Sequence, residues 1–167
     1  MKTFIQNLRK KESGFTIIEV MIVLALAGLI IAAVIVAVPQ LQRNQRNAAR
    51  RDITARIKTE IDSYSANNNG KIPVAVADIT SLQTRYLSGI ASNIQDPKTG
   101  AAVGVTYYAT AVATGAFPAA SIPAVGAINY QDKVVCNGED ATNTGNARQY
   151  ALWTQLEGGA IYCLDNK

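Results

Sequence analysis

From Phe15 to Val38 the chain runs through 24 apolar or near-neutral residues with one charge among them, Glu19. As a helix rising about 1.5 Å per residue, this run is about 36 Å long, enough to cross a hydrocarbon core of about 30 Å. A carboxylate so close to the start of an apolar segment is costly unless something pairs with it. The partner of Glu19 therefore decides what the segment is for.

Setting the apolar run aside leaves room for one further domain of ordinary size in a chain of 167 residues. The formal charge is +4, and Lys2, Arg9, Lys10 and Lys11 against Glu12 place most of it before Phe15. There is no histidine, which removes the commonest general base and metal ligand. An enzyme would need an acid pair such as Asp132 and Glu139, which nothing in the sequence places in a pocket. The two cysteines, Cys136 and Cys163, are too few for a structural zinc site. In a domain beyond a membrane segment they suggest one disulfide formed in an oxidising compartment, with a pair of buried free thiols as the alternative.

Three readings of the N-terminus follow. A secretory signal would be cut at Ala25-Leu26-Ala27, leaving Gly28 to Val38 as an apolar end on the product. An uncleaved anchor would have no use for Glu19. The third reading cuts between Gly14 and Phe15 and keeps the apolar segment. On Lys10-Lys11, Gly14 and Phe15-Thr16-Ile17-Ile18-Glu19, set ahead of an unbroken apolar run, the chain resembles the type IV pilin family, including the pseudopilins. The resemblance implies that prepilin peptidase removes residues 1–14 and methylates the new amino group of Phe15. After that cut the Phe15 amine and Glu19 lie one helical turn apart, so they could neutralise each other within one chain, or pair between copies shifted along the axis and so join copies into a filament. A glycine between a solvated basic leader and the helix also makes a flexible, accessible peptide, or simply a hinge.

Beyond the apolar run, Ala25, Gly28, Ala32 and Ala33 place small residues at near-helical spacing, suited to close helix packing or to plain membrane filler. Gly28 and Pro39 weaken a helix, so a bend or melted stretch is expected between them. Leu41 to Ala66 reads as helix, with Ile53, Ile57 and Ile61 every fourth residue. Asn67-Asn68-Asn69-Gly70, followed by Pro73, stops it. Arg43, Arg46, Arg50, Arg51, Arg56 and Lys58 form the densest basic cluster after the leader. They suit contacts with neighbouring subunits or, as the second candidate, nucleic acid, although no aromatics interleave for base stacking.

A short helix is expected near Asp78 to Leu87, capped by Asp78 or Thr80, and a turn at Asp96 to Gly100. Strands are expected at Val105 to Ala113, Ala127 to Val135, Arg148 to Leu156 and Ala160 to Leu164. Four strands suit one antiparallel sheet with one buried face, covered by the Ile53, Ile57 and Ile61 stripe. A Cys136–Cys163 bridge would enclose Asn137 to Tyr162, similar to the disulfide-closed C-terminal region of pilins. Asn137, Glu139, Asp140, Asn143 and Asn146 offer oxygens as a calcium loop would, but at no standard spacing, so a surface loop is the better reading. Tyr107, Tyr108, Tyr130, Tyr150 and Trp153 belong to the core or the sheet face.

The expected fold is thus α+β and pilin-like: a long N-terminal helix, with a membrane half and an amphipathic half, on a small four-stranded antiparallel sheet. The expected segments are a cleaved leader at 1–14, a transmembrane and filament-core helix at 15–38 and its amphipathic continuation at 39–66. A connecting loop with a short helix follows at 67–102, and the sheet with its disulfide-closed region at 103–167. The expected role is a structural, non-enzymatic subunit of an extracellular filament, without cofactor or metal. Its partners are other copies of itself, prepilin peptidase, the assembly platform and, before assembly, the cytoplasmic membrane. The alternative is a pseudopilin or competence-type minor pilin in secretion or DNA uptake, with Arg43, Arg46, Arg50 and Arg51 touching nucleic acid.

Overall fold

The computed structural model describes residues 14–88 and 94–167. Lys2, Arg9, Lys10, Lys11 and Glu12, and with them the leader up to Ser13, lie outside the described residues. Helix α1 spans Ile17–Asn67 without interruption. It passes through both Gly28 and Pro39, so the melted stretch expected between them does not form. Pro39 removes one backbone donor, and the helix continues on either side of it. The helix stops where the asparagines accumulate. Asn69 takes a φ of 56° and Gly70 one of 80°, and the Gly70 N–H donates to the carbonyl of Ser65 at 2.8 Å, the six-to-one bond of a Schellman cap.

The chain divides into two compact units, residues 1–41 and 42–167. In the first, every described residue is exposed. In the second, α1 buries a stripe of Arg50, Thr54, Ile57, Ile61 and Tyr64, spaced three and four apart as one helical face requires. A short helix, α2 (Val76–Ser81), follows and widens into a π-helical turn at Leu82–Tyr86. It starts before the expected Asp78, and its N-cap is Ala75 with no side-chain cap. Asp78 pairs instead with the ammonium of Lys71 at 2.8 Å.

The strands are β1 (Val105–Tyr107), β2 (Gly115–Ala116), β3 (Ile128–Asp132), β4 (Val134–Asn137), β5 (Asp140–Asn143), β6 (Tyr150–Gln155) and β7 (Ile161–Asp165). They build two sheets, one in the order β1-β3-β6-β7 and one in the order β2-β5-β4. The four-stranded sheet is mixed, correcting the antiparallel expectation: β1 runs parallel to β3, while β3, β6 and β7 are antiparallel neighbours. Residues 108–127, which join β1 to β3, are long enough for the crossover that parallel pairing demands.

The second sheet comes from a break the sequence reading missed. The expected strand from Ala127 to Val135 divides at Lys133, whose φ of 62° turns the chain out of the first sheet after Asp132 and into the second at Val134. The bend is held at both ends: the Lys133 N–H donates to the Gln149 carbonyl at 2.6 Å, and its carbonyl accepts from Thr144 N–H at 2.7 Å.

Two apolar clusters flank the four-stranded sheet. Ile57, Ile61 and Tyr64 of α1 meet Ile128, Tyr130, Tyr150 and Leu152 in one, with Ile72, Leu82, Leu87 and Ile94 closing it. Alternate residues of β6, Ala151 and Trp153, join Val112, Phe117, Val134 and Ala141 in the other. The sheet is therefore buried on both faces, not one. The long β1–β3 connection supplies the second cover: Phe117 stacks on Trp153 with ring centroids 4.7 Å apart, and the indole N–H of Trp153 donates to the Ser121 carbonyl at 2.7 Å. Gln131 pins the same connection, accepting from Val112 N–H at 3.2 Å and donating to the Thr110 carbonyl at 2.8 Å.

Candidate assembly site

Gly14 and Phe15 precede the first helical turn and are exposed, Phe15 at 89%. Among the described residues nothing lies within 4 Å of where a Cβ on Gly14 would sit. The next four residues are tightly organised. Thr16 N–H and Thr16 Oγ1–H both donate to Glu19 Oε2, at 2.8 and 2.7 Å, and Glu19 N–H donates back to Thr16 Oγ1 at 3.3 Å. This is a capping box, in which a threonine and a glutamate three residues on satisfy each other's backbone donors at the start of a helix. The Thr16-x-x-Glu19 spacing was legible in the sequence, but attention to the charge of Glu19 hid its role as a cap. Placing the carboxylate in the first turn also sets it against the positive end of the helix dipole.

From Val20 to Pro39 the helix offers only apolar surface. Ile18, Leu24, Leu29, Ile35 and Val36 are all exposed by more than half. Among the described residues this is the one helix long and apolar enough to cross a membrane. Phe15, Glu19, Val20, Ile22, Val23 and Leu24 line a shallow notch there, so the carboxylate borders an apolar surface shaped to receive side chains.

The arginines of the basic cluster part company. Arg43 is exposed, and Arg51 lies over the Tyr162 ring at 5.6 Å from its centroid. Arg46 forms a two-point fork on Glu157, with Nε and Nη2 at 2.7 and 2.8 Å from its two oxygens. Arg50 is 3% exposed and donates through Nε to Asp96 at 2.7 Å and through Nη1 to Glu157 at 2.9 Å. The hydrogen bonds of Arg46, aided by Arg50, hold the Glu157 carboxyl down at about 2, against the opposing effect of desolvation. Burial pushes Asp96 upward, but Arg50 and the N–H groups of Thr99 and Lys98 outweigh it and leave the carboxyl below its usual range. Two of the four arginines assigned to subunit or nucleic-acid contact are thus engaged within the chain.

Cys136 and Cys163 form a disulfide that ties β4 of the small sheet to β7 of the large one. Asp165 reinforces the junction, accepting from Cys136 N–H at 2.8 Å. Of the five residues that offer oxygens as a calcium loop would, two use their side-chain oxygens on local backbone and two pair through their backbones in a hairpin. Asn137 pairs with Asp140 across a two-residue turn, Asn143 Oδ1 accepts from Gly145 N–H, and Asn146 Oδ1 accepts from Arg148 N–H. Among the described residues no cluster of three or more histidine, cysteine or acidic side chains could hold a metal. Asp132 accepts from the Tyr107 hydroxyl at 2.8 Å on the large sheet, whereas Glu139 sits at the exposed tip of the β4–β5 hairpin, so the acid pair is not brought together.

Residues 9–35 match the model of the prokaryotic N-terminal methylation motif, which covers the basic pair, Gly14, Phe15, Glu19 and most of the apolar run. That motif marks structural proteins of the pilin family. No curated protein and no solved structure matches the chain. An apolar N-terminal helix behind this motif, on an α+β domain with one disulfide, fits a membrane-anchored precursor, and the chain carries the prepilin-type signature of type IV pilins and pseudopilins.

Proposed function

We propose that the chain is the structural subunit of a type IV pilus-like extracellular filament. In this reading prepilin peptidase cleaves after Gly14 and methylates the amine of Phe15, and the subunit waits in the cytoplasmic membrane with its C-terminal domain outside. Assembly then proceeds through the N-terminal helix. The observation that supports this most is the helix from Ile17 to Val38, apolar but for one carboxylate near its start and covered by none of the other described residues. Such a surface leaves lipid without large cost only when other apolar surfaces cover it, and identical helices are the simplest cover.

Cleavage would place an α-ammonium one helical turn from Glu19. Pairing between copies shifted along the helix axis uses a different half of each subunit, so it propagates instead of closing into a dimer. The capping box refines this picture, because Glu19 Oε2 already accepts twice from Thr16. The second oxygen of Glu19 is the natural acceptor for a neighbour's amine, and the helix start keeps its cap.

The test is the N-terminus and the fibre together. Mass spectrometry of the processed protein should find methylated Phe15. Glu19→Leu should insert into membranes as before and yield no filaments. A mature chain beginning at Met1 or Gly28, or normal filaments from the variant, would overturn the proposal. Pilins and pseudopilins share the motif, and deleting either a pilus or a secretion assembly platform in the source cells would separate the two roles.

A further inference from the structure

Arg46 is the first described residue along α1 that is not exposed, and around it five polar side chains from three parts of the chain converge. Beyond the two arginines, Asn47 grips the backbone of Glu157 from both sides: its Nδ2 donates to the Glu157 carbonyl at 3.1 Å, and its Oδ1 accepts from Glu157 N–H at 2.9 Å. Asp96 accepts from Lys98 and Thr99 N–H through its other oxygen, at 3.0 Å each, which closes its own turn while it holds Arg50. Gly126, at a φ of 92°, allows this approach, since a Cβ there would fall 2.5 Å from Asp96 Oδ2.

Each of these two turns is closed by its own backbone bonds, Asp96 N–H to the Ala101 carbonyl at 2.8 Å and Leu156 N–H to the Ala160 carbonyl at 2.9 Å, while the side chains above tie it to α1. Pro97 to Gly100 and Gly158 to Ala160 are exposed, and no residue from either stretch belongs to the apolar clusters. The contacts also share atoms. Arg50 serves both acids, and Glu157 Oε1 accepts from Arg46 and Arg50 at once. With two cations against two anions, removing any one charged member strands a charge on the rest, and Asn47 ties the Glu157 backbone to the same set, so the set is cooperative.

We propose that Arg46, Asn47, Arg50, Asp96 and Glu157 form a polar clasp that opens as a unit, freeing the 96–100 and 157–160 turns from α1 while both apolar clusters stay closed. Segments held by few contacts open at lower free energy than the core, and here the side-chain bonds to α1 are one linked set. A second step rests on the filament reading above. Strain carried along α1 from the residues before Arg46 reaches this clasp before any buried apolar contact, so the clasp yields first.

Hydrogen exchange on the full chain in detergent micelles tests the clasp without any filament. In both Glu157→Gln and Asn47→Ala, the segments 95–101 and 156–161 should exchange faster together, by about tenfold, with residues 57–64 and 150–154 unchanged. Acceleration of one turn alone, of all segments equally, or of none would overturn it. For the second step, single filaments of wild type and Glu157→Gln are stretched. The variant should begin to extend at lower force, and equal forces would overturn the strain role. Failure of the wild-type chain to polymerise would instead strike the proposed function, leaving the exchange result to decide the clasp.

Discussion

Along one helix, two regions obey different rules. Between Ile17 and Gln45 every residue of α1 is exposed, and side chains such as Leu29 and Val36 stand 71% and 79% exposed. Further along the same helix, Ile57 and Ile61 are at 1% and 0%. Both regions are equally helical and both carry aliphatics, so helicity does not distinguish them. What differs is where the apolar area goes. The second region gives it to Tyr130, Tyr150 and Leu152 of the sheet, and the first is covered by none of the described residues. Exposed apolar surface on this scale marks a membrane or protein contact, and behind the methylation motif it fits a membrane-anchored precursor.

The sharpest way to break this comparison is to separate its halves. A chain beginning at Gln42 should be soluble and monomeric without detergent and keep its sheet signal in circular dichroism. Aggregation of that piece would mean that the C-terminal unit is not self-sufficient.

Within the packed unit, Trp153→Ala should cost about 3–5 kcal/mol in urea unfolding, because it removes the stack with Phe117 and leaves the Ser121 carbonyl without its indole donor. A cost below about 1 kcal/mol would show that the second apolar cluster is not a true core. Replacing Cys136 and Cys163 together by serine opens a bridge of sequence separation 27 and should lower stability by about 3.5 kcal/mol in the chain-entropy model. Because the bridge joins two sheets, proteolysis should appear first in β4 and β5.

In the unpacked region the effects are smaller. Thr16→Val removes half of the capping box and should cost about 1 kcal/mol, read as faster amide exchange in the first helical turn alone. The least effect is confined to strong acid. Glu157 has a folded value of about 2, below its ordinary 4.5, so its contribution is complete above the ordinary value and disappears as the pH falls through the folded one. Glu157→Gln should flatten the acid limb of the thermal midpoint between about pH 4.5 and 2, and a limb of unchanged slope would assign it to other carboxylates.

The parts that were legible in the sequence share a short range. A run of apolar residues, a glycine before it and an acid four residues inside are patterns within one segment, and α1 and its end at the asparagines follow from periodicity and stop residues. The Ile57 and Ile61 face was readable for the same reason. The misses concern distance or direction. A pattern of alternating residues does not say whether a strand runs up or down, so β1 was paired the wrong way round. The break at Lys133 depends on one positive φ in a residue that carries no turn signal of its own. The arginines read as a surface cluster because charges on a helix usually face water. Arg50 is buried because acids 46 and 107 residues away fold back onto it.

The sequence by itself determined that this chain has a bare apolar helix with a processing motif at its head and a compact α+β unit behind it, since periodicity, composition and local motifs are properties of neighbours along the chain. Only the tertiary structure decided that the sheet is mixed and covered on both faces, that a disulfide joins two sheets, and that Arg46 and Arg50 are held by Asp96 and Glu157. Those outcomes depend on which distant groups satisfy one another once the core closes, and a buried charge or donor takes the partner that the closed fold brings within reach.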